Sequence, residues 1–390
     1  MKDFGLIRKS IALLLAGTLL GSVAGCQENV ITPTSTASKV KSTAASSKDD
    51  KKEILAAPPE LKKKYFLGIS PSGSVNIPED EWANYKELGV KSLRVHIQLG
   101  NLNHNPAFPD FKKYDAVVKR AKADDIEVVL LLSYESYKSV SEEMNKGWGP
   151  ILNFQKDCKN MIPMVQKTIE HFKDSGVKKY EIWNEENGMW NIDPESYAGM
   201  ITEIYEKCKY TDKWDPTAII AFGGLDGVNV NWDDTGINYG SRQYVRDFYE
   251  TNAYKAFKAK YKRSPFDAFA LHPYNTFCLD GNLKVDYNKI ASAVQMTVVD
   301  VMKEYGDEKI PIWITEFGNQ DADENLNAAT VYEAIKEIYK IPQVETLHWF
   351  KYCYGGGNES NYSIVLANGT KRKSYYSFRQ AALDIAKGEQ

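Results

Sequence analysis

Histidine is scarce and scattered: five in the chain, with no H-E-x-x-H and no pair at ligand spacing, so a histidine-built zinc site is excluded. Cysteine is equally rare, with five residues and no C-x-x-C pair. That is too few for a disulfide framework, and it removes the thiolate zinc motifs. No G-x-S-x-G elbow offers a serine nucleophile. No G-x-G-x-x-G follows the first strand-like run, so a dinucleotide cradle is missing. The glycines Gly355 to Gly357 lack a basic cluster and read as a loop rather than a phosphate site. Charge of one sign is also lacking. A formal charge of −3 gives no reason to expect nucleic acid or an acidic membrane as partner. No metal and no cofactor is expected.

The apolar run at the start, Ile11 to Leu20, is too short to span a bilayer comfortably. It follows a basic stretch with Lys2, Arg8 and Lys9, and it leads into Ser22-Val23-Ala24-Gly25-Cys26. Small residues before a cysteine resemble a bacterial lipoprotein signal, with residues 1–26 ending at a lipidated Cys26. An ordinary secretory signal with an incidental cysteine is the alternative. Residues 27–57 are rich in Ser, Thr, Ala and Lys and cannot bury enough surface to fold, so they read as a flexible tether. The expected product is exported, at the cell surface or in the periplasm, and meets the membrane only through that anchor. Cys158, Cys208, Cys278 and Cys353 remain. Cys278 and Cys353 both follow predicted strands, and a bridge between them or two buried free thiols are equally compatible with the sequence.

A core is available: 43% of residues are apolar and 12% aromatic. From Tyr65 onward, short β-branched or aromatic runs alternate with helical periods. The runs are Tyr65–Ser70, Ser92–Gln98, Ile126–Tyr134, Lys179–Glu185, Ala218–Gly224, Phe266–Tyr274, Ile310–Glu316 and Thr346–Tyr352. Apolar centres of this length suit parallel strands buried on both faces. Between them, Phe111, Tyr114, Val117, Val118 and Ala121 share one helical face, and Ile290, Val294, Val298, Val301 and Met302 another. Helices are expected to stop at Gly89, Gly176 and Gly306. Eight strand signals, each followed by a helix, predict a single α/β domain, a (β/α)8 TIM barrel over residues 58–390. A hairpin is expected at 363–370, with Asn368-Gly369 as a type I′ turn.

Two of the strands end alike. The run Lys179 to Asn187 stops in Asn184-Glu185, and Ile310 to Gly318 stops in Thr315-Glu316. Each places a carboxylate at the carboxyl end of a buried strand, where barrels of this kind do chemistry. Two such groups on strands four and seven are placed to flank a glycosidic bond. Charge repulsion between the two favours a proton on one and not on the other. Glu185 is therefore assigned as acid/base and Glu316 as nucleophile. Asn184 offers an amide to a sugar hydroxyl, and Arg94 ends the second strand where it would keep Glu316 ionised. His272 and Tyr274 end the sixth strand. Trp148, Trp190 and Trp232 fall in loops after strands three, four and five, and Trp349 near the end of strand eight, as a sugar-stacking platform would require.

These residues resemble the clan A glycoside hydrolases, retaining enzymes on a (β/α)8 barrel. Trp183-Asn184-Glu185 is similar to the clan's acid/base motif and Thr315-Glu316-Phe317-Gly318 to its nucleophile motif. Glu181 to Asn187, then Trp190 and Pro194 to Ala198, look most like family 39, with a family 5 type as the second possibility. The resemblance implies substrate or nucleophile contacts for Arg94, His272, Tyr274 and Trp349. The chain departs from family 39 at Glu186, where proline is usual, and the Asn-Glu order keeps the acid/base at Glu185. An accessory β-domain like that of the xylosidases in that family is not expected from the residues after the barrel. The expected activity is retaining hydrolysis of β-linked poly- or oligosaccharide by a monomer. A transglycosylase using the same site, and a non-catalytic carbohydrate-binding lipoprotein on the same barrel, are the alternatives.

Overall fold

The computed structural model describes residues 55–99, 111–133, 154–188, 192–227, 241–274, 290–355 and 361–388. Eight parallel strands close into one barrel in chain order. They are β1 (Leu67–Ile69), β2 (Ser92–Gln98), β3 (Glu127–Ser133), β4 (Lys179–Asn184), β5 (Ile219–Asp226), β6 (Ala268–His272), β7 (Ile312–Phe317) and β8 (Val344–Trp349). The barrel seals where Gly68 of β1 pairs with Ser92 on one side and with His348 on the other. The helices between strands are α1 (Glu79–Leu88), α2 (Lys112–Ala123), α3 (Phe154–Phe172), α4 (Pro194–Lys209), α5 (Ser241–Glu250) and α6 (Asn252–Tyr261). Next comes α7, whose segments Ile290–Val294 and Asp300–Glu304 are joined through a π turn at Gln295–Val299. Then follow α8 (Glu324–Lys340) and α9 (Lys373–Lys387). The expected (β/α)8 barrel is what the chain forms.

The expected helix faces are buried. Val117, Val118 and Ala121 of α2 pack inward, and so do Ile290, Val294, Val298, Val301 and Met302 of α7. Gly89 ends α1 in the left-handed region at φ 77°, and Gly306 follows α7 at φ 79°; only glycine adopts this conformation without strain. Asp193 caps α4 by accepting from the Ser196 N–H, with Pro194 at the first helical position. Between strands and helices, Tyr197, Phe222, Phe248, Phe266 and Phe269 interlock, with Phe222 and Phe269 stacked at 4.4 Å. Each such ring, fully buried, stabilises the fold by about 1.5–3 kcal/mol.

The inside of the barrel is divided by chemistry. A small apolar layer of Val129, Ala221, Ala268 and Trp313 fills it near the amino ends of the strands. Below that layer Lys179 is clamped by Glu127 at 2.8 Å and Glu345 at 3.0 Å, with its Nζ 5.0 Å from the Trp313 ring. The Trp313 indole donates to Glu345 at 2.9 Å, so a polar plug closes this end. Beside the plug, Ser92 at the amino end of β2 meets both Glu127 at 3.3 Å and His348 at 2.9 Å.

Two local expectations are corrected. The hairpin near 363–370 exists as a single bridge between Val365 and Lys371, but its turn is not type I′. Only Gly369 lies at positive φ, at 81°, and its N–H closes on Leu366 O at 2.8 Å. That is the pattern of a type I turn followed by a left-handed glycine. Strand β8 stops at Trp349 rather than at Tyr352. Cys208 is a buried free thiol and Cys353 a partly buried one; Cys26 and Cys278 lie outside the described residues. Among the described residues, no helix is long and apolar enough to cross a membrane.

Candidate active site

The site begins with a distorted strand end. Trp183 and Glu185 of the β4 terminus stand at φ 77° and 52°, in the left-handed region that side chains rarely adopt. Such backbone persists only where its surroundings hold it, typically at functional positions. The neighbouring β5 supplies part of that hold. Its register against β6 shifts between Phe222 and Leu225, a bulge that re-aims side chains. A Cβ on Gly224 would collide with the His272 imidazole, and one on Gly223 with the Glu186 carboxyl. The paired glycines make room for both groups.

At the centre lies Arg94, a buried residue of β2. Its Nε donates to Glu181 Oε2 at 2.7 Å and its Nη2 to Glu181 Oε1 at 3.0 Å, a bidentate pair. The same Nη2 donates to Asn184 Oδ1 at 2.8 Å, while Nη1 donates to Glu316 Oε1. Tyr274 OH donates to the other oxygen of Glu316 at 3.0 Å. Glu316 is thus held from β2 and from the end of β6. His272 bridges the remaining gap, with Nδ1 3.0 Å from Glu185 Oε1 and Nε2 3.0 Å from Thr315 Oγ1. Thr315 gives its one proton to Glu181 at 2.9 Å, so it accepts from His272 Nε2–H. One oxygen each of Glu185 and Glu316 and one ring nitrogen of His272 converge to within 4.8 Å of one another.

Charge follows this geometry. Burial works against ionising Glu316, but His272 and Arg94 outweigh it and hold the carboxyl below its usual range. Burial likewise lowers the affinity of His272 for a proton, yet Glu316 and Glu185 raise it above the ordinary value. Tyr274 is pushed far up by burial and by Glu316, so it stays a donor. His96, two residues beyond Arg94, is pushed down to about 3 by burial and by Arg94. It is therefore neutral, with Nε2 2.6 Å from Ser133 Oγ. The Glu185–His272–Glu316 donors are close enough to ligate a metal, but each is already hydrogen-bonded within the network.

Residues 74–358 match the family model for cellulases of glycosyl hydrolase family 5. The chain belongs to glycoside hydrolase family 5. It is an O-glycosyl hydrolase of clan A, as the motifs led one to expect, and the matching family is the second of the two they resembled. No curated protein matches it. A family 39 glycoside hydrolase from Bacteroides cellulosilyticus WH2 is similar in structure, with TM-score 0.56 at 13% identity over 84% of this chain and 65% of that one. A GH5_18 protein from Bifidobacterium longum subsp. infantis gives 0.56 at 11% identity, covering 82% and 79%. The exo-β-1,4-mannosidase Op5Man5 from Opitutaceae bacterium strain TAV5 gives 0.57 at 12%, covering 85% and 62%. The chain thus spans less than two thirds of the length of the first and the last of these.

Within this family 5 barrel, Arg94, Asn184, Glu185, His272, Tyr274 and Glu316 come together in one hydrogen-bonded group. Trp349 does not join them. It is 1% exposed, packed edge-on against Phe317 at 5.6 Å and paired with Ile69. The next residue is the more exposed aromatic. Phe350 is partly exposed, 6.3 Å from the Tyr274 ring at 90° and 5.6 Å from Tyr362. Trp148, Trp190 and Trp232 lie outside the described residues. Glu186 is fully buried behind β4, with no hydrogen-bond partner for either carboxyl oxygen among the described residues, while Glu185 faces the site. Sequence reasoning missed Glu181, His96 and Asp226. For Glu181 a signal existed: an acid in the middle of an apolar strand, two positions from Trp183, has to face a buried cation.

Proposed function

We propose that the chain hydrolyses β-linked poly- or oligosaccharide with retention, Glu316 acting as nucleophile and Glu185 as acid/base. The observation that carries this reading is that one oxygen of each carboxyl lies within 4.8 Å of the other, with Glu316 held ionised by Arg94 and His272. Retaining glycosidases keep their carboxyls about 5–5.5 Å apart, whereas inverting ones leave about 6.5–9.5 Å for a water. The β linkage is supported by a neighbour named as a β-1,4-mannosidase.

In the first step Glu316 attacks the anomeric carbon as the glycosidic C–O bond breaks. Glu185 gives its proton to the departing oxygen. In the second, Glu185 takes a proton from water, whose oxygen displaces Glu316. His272 serves both steps. Because its Nε2–H is committed to Thr315, its Nδ1 either accepts the proton of Glu185 or, as imidazolium, donates to the carboxylate. The intact, hydrogen-bonded pair argues against a binding-only barrel. The export reading with Cys26 as the lipidated residue is proposed alongside. Fatty-acid labelling lost in Cys26→Ser tests it.

The decisive experiment measures reducing sugar released from xylans, glucans, mannans and galactans, with the product anomer followed by proton NMR. Retention is expected. Glu316→Ala abolishes turnover, and Glu185→Ala lowers it by about 10²–10⁴-fold. Inverted product, or turnover that survives in Glu316→Ala, refutes the assignment.

A further inference from the structure

A third carboxyl stands at the mouth of this site and takes no part in the steps above. Asp226 is the last residue of β5, paired in register with His272, the last of β6. Its backbone is fixed on both sides. The N–H donates to Asn187 Oδ1 at 2.8 Å, and the C=O accepts from Asn187 Nδ2 at 3.1 Å and Ser241 Oγ at 2.9 Å. The carboxylate, by contrast, receives no donor among the described residues. One oxygen lies 3.0 Å from the point where a Cβ on Gly188 would stand. Gly188 closes the turn that carries Glu185, its N–H donating to Glu185 O at 2.9 Å. The Asp226 head therefore leans over the acid/base turn, where only a glycine leaves it space. Burial, and then the nearness of Glu185, push this carboxyl up to about 7.

A rigidly mounted, half-buried carboxyl that takes no donor from the described residues and reaches solvent is open to a polar group of the ligand. A sugar hydroxyl is such a group. The side of the site follows from strand order. β5 adjoins β4, which carries Glu185, and is two strands from β7, which carries Glu316. The sugar under attack sits over the nucleophile, and the acid/base reaches the oxygen of the sugar that leaves. A carboxyl beside Glu185 and across from Glu316 faces the leaving group.

We propose that Asp226 accepts a hydrogen bond from a hydroxyl of the departing sugar, so that the site selects saccharide leaving groups over aryl or alkyl ones. This rests on the hydrolase reading above and adds a specificity-determining residue to it. The test compares kcat/KM for a β-linked oligosaccharide with kcat/KM for the aryl β-glycoside of the same sugar. Wild type, Asp226→Asn and Asp226→Ala are measured, each checked for an unchanged thermal midpoint. A hydrogen bond to a carboxyl, neutral or charged, is worth roughly two- to a hundred-fold. The ratio of the two constants falls by that factor in Asp226→Ala and by less in Asp226→Asn, which keeps one acceptor oxygen. Equal losses on both substrates would make Asp226 a support for the Glu185 turn, and no loss on either would give it no role; both results overturn the proposal. Calorimetric binding of the same two ligands in the Glu316→Ala background answers the question without turnover. A wild type inactive on every glycan would thus fail the hydrolase reading while this comparison still decides for or against Asp226.

Discussion

Replacing Arg94 by methionine tests the electrostatic frame of the site. The guanidinium donates to both oxygens of Glu181, to Asn184 and to Glu316, all in a buried setting. Methionine keeps most of the stem volume and removes the charge. Two effects separate. Glu316 loses one of the two cationic partners that hold it down. A neighbouring opposite charge lowers a carboxyl by about 1–3 units, about 1.4–4 kcal/mol at about 1.36 kcal/mol per unit. A depressed carboxyl stays ionised until pH falls through its folded value. Raising that value moves the acid limb of kcat/KM upward by the same one to three units, with activity above the limb less affected.

The second effect is on stability. Glu181 is left fully buried and without its cation, which costs about 3–5 kcal/mol. The double variant Arg94→Met/Glu181→Gln removes that orphan charge. Its urea midpoint recovers towards wild type while its acid limb stays shifted. The assays are pH profiles of kcat/KM between pH 3 and 9 and urea unfolding at neutral pH. A folded double variant whose acid limb coincides with wild type would refute the idea that Arg94 keeps the nucleophile charged.

Phe350→Ala is expected to lower kcat/KM by about tenfold through lost ring contact with the sugar, with little change in unfolding. Trp349→Ala should do the reverse, destabilising by about 3–5 kcal/mol as a large core residue; equal kinetic effects in the two variants would contradict their placement. Glu186 is held above the usual carboxyl range by burial, so the folded state keeps a proton that the unfolded chain gives up above that range. Wild-type stability therefore falls as pH rises past ordinary carboxyl values. Glu186→Gln should flatten that decline in denaturant midpoints between pH 4 and 8, and an unchanged slope would count against a neutral Glu186. Lys179→Met leaves Glu127 without its cation and should cost about 3–5 kcal/mol in urea with KM unchanged. A KM effect there would mean that the two ends of the barrel are coupled.

Where the amino-acid pattern carries a period, the fold was legible from it. All eight strands begin and end within three residues of expectation, because apolar runs flanked by glycine and polar turns leave little freedom. The paired carboxylates were legible for a similar reason: each breaks an apolar run at the same level of the barrel. Arg94 followed, since a buried nucleophile needs a cation, and His272 from its place at the end of the sixth strand. Asp226 gave no such signal. An acid at the end of a Gly-Gly-Leu-Asp run reads as a turn residue, and only the bulge in β5 turns it towards Glu185.

Trp349 shows how one residue decides the outcome on a strand. Side chains alternate between the two faces, so a shift of one position exchanges inside for outside. With the eighth strand extended to Tyr352, the expectation set Trp349 on the sugar-facing side. The sign against it was present in His348. Its imidazole meets Ser92 Oγ at 2.9 Å and crowds Gly68, a polar contact inside the barrel. With His348 inward, Trp349 faces the other way and packs against Phe317, with 1% of its surface exposed. Phe350 then stands beside Tyr274, which touches the nucleophile. A buried histidine one position upstream is thus a better guide to the stacking face than the size of the aromatic ring.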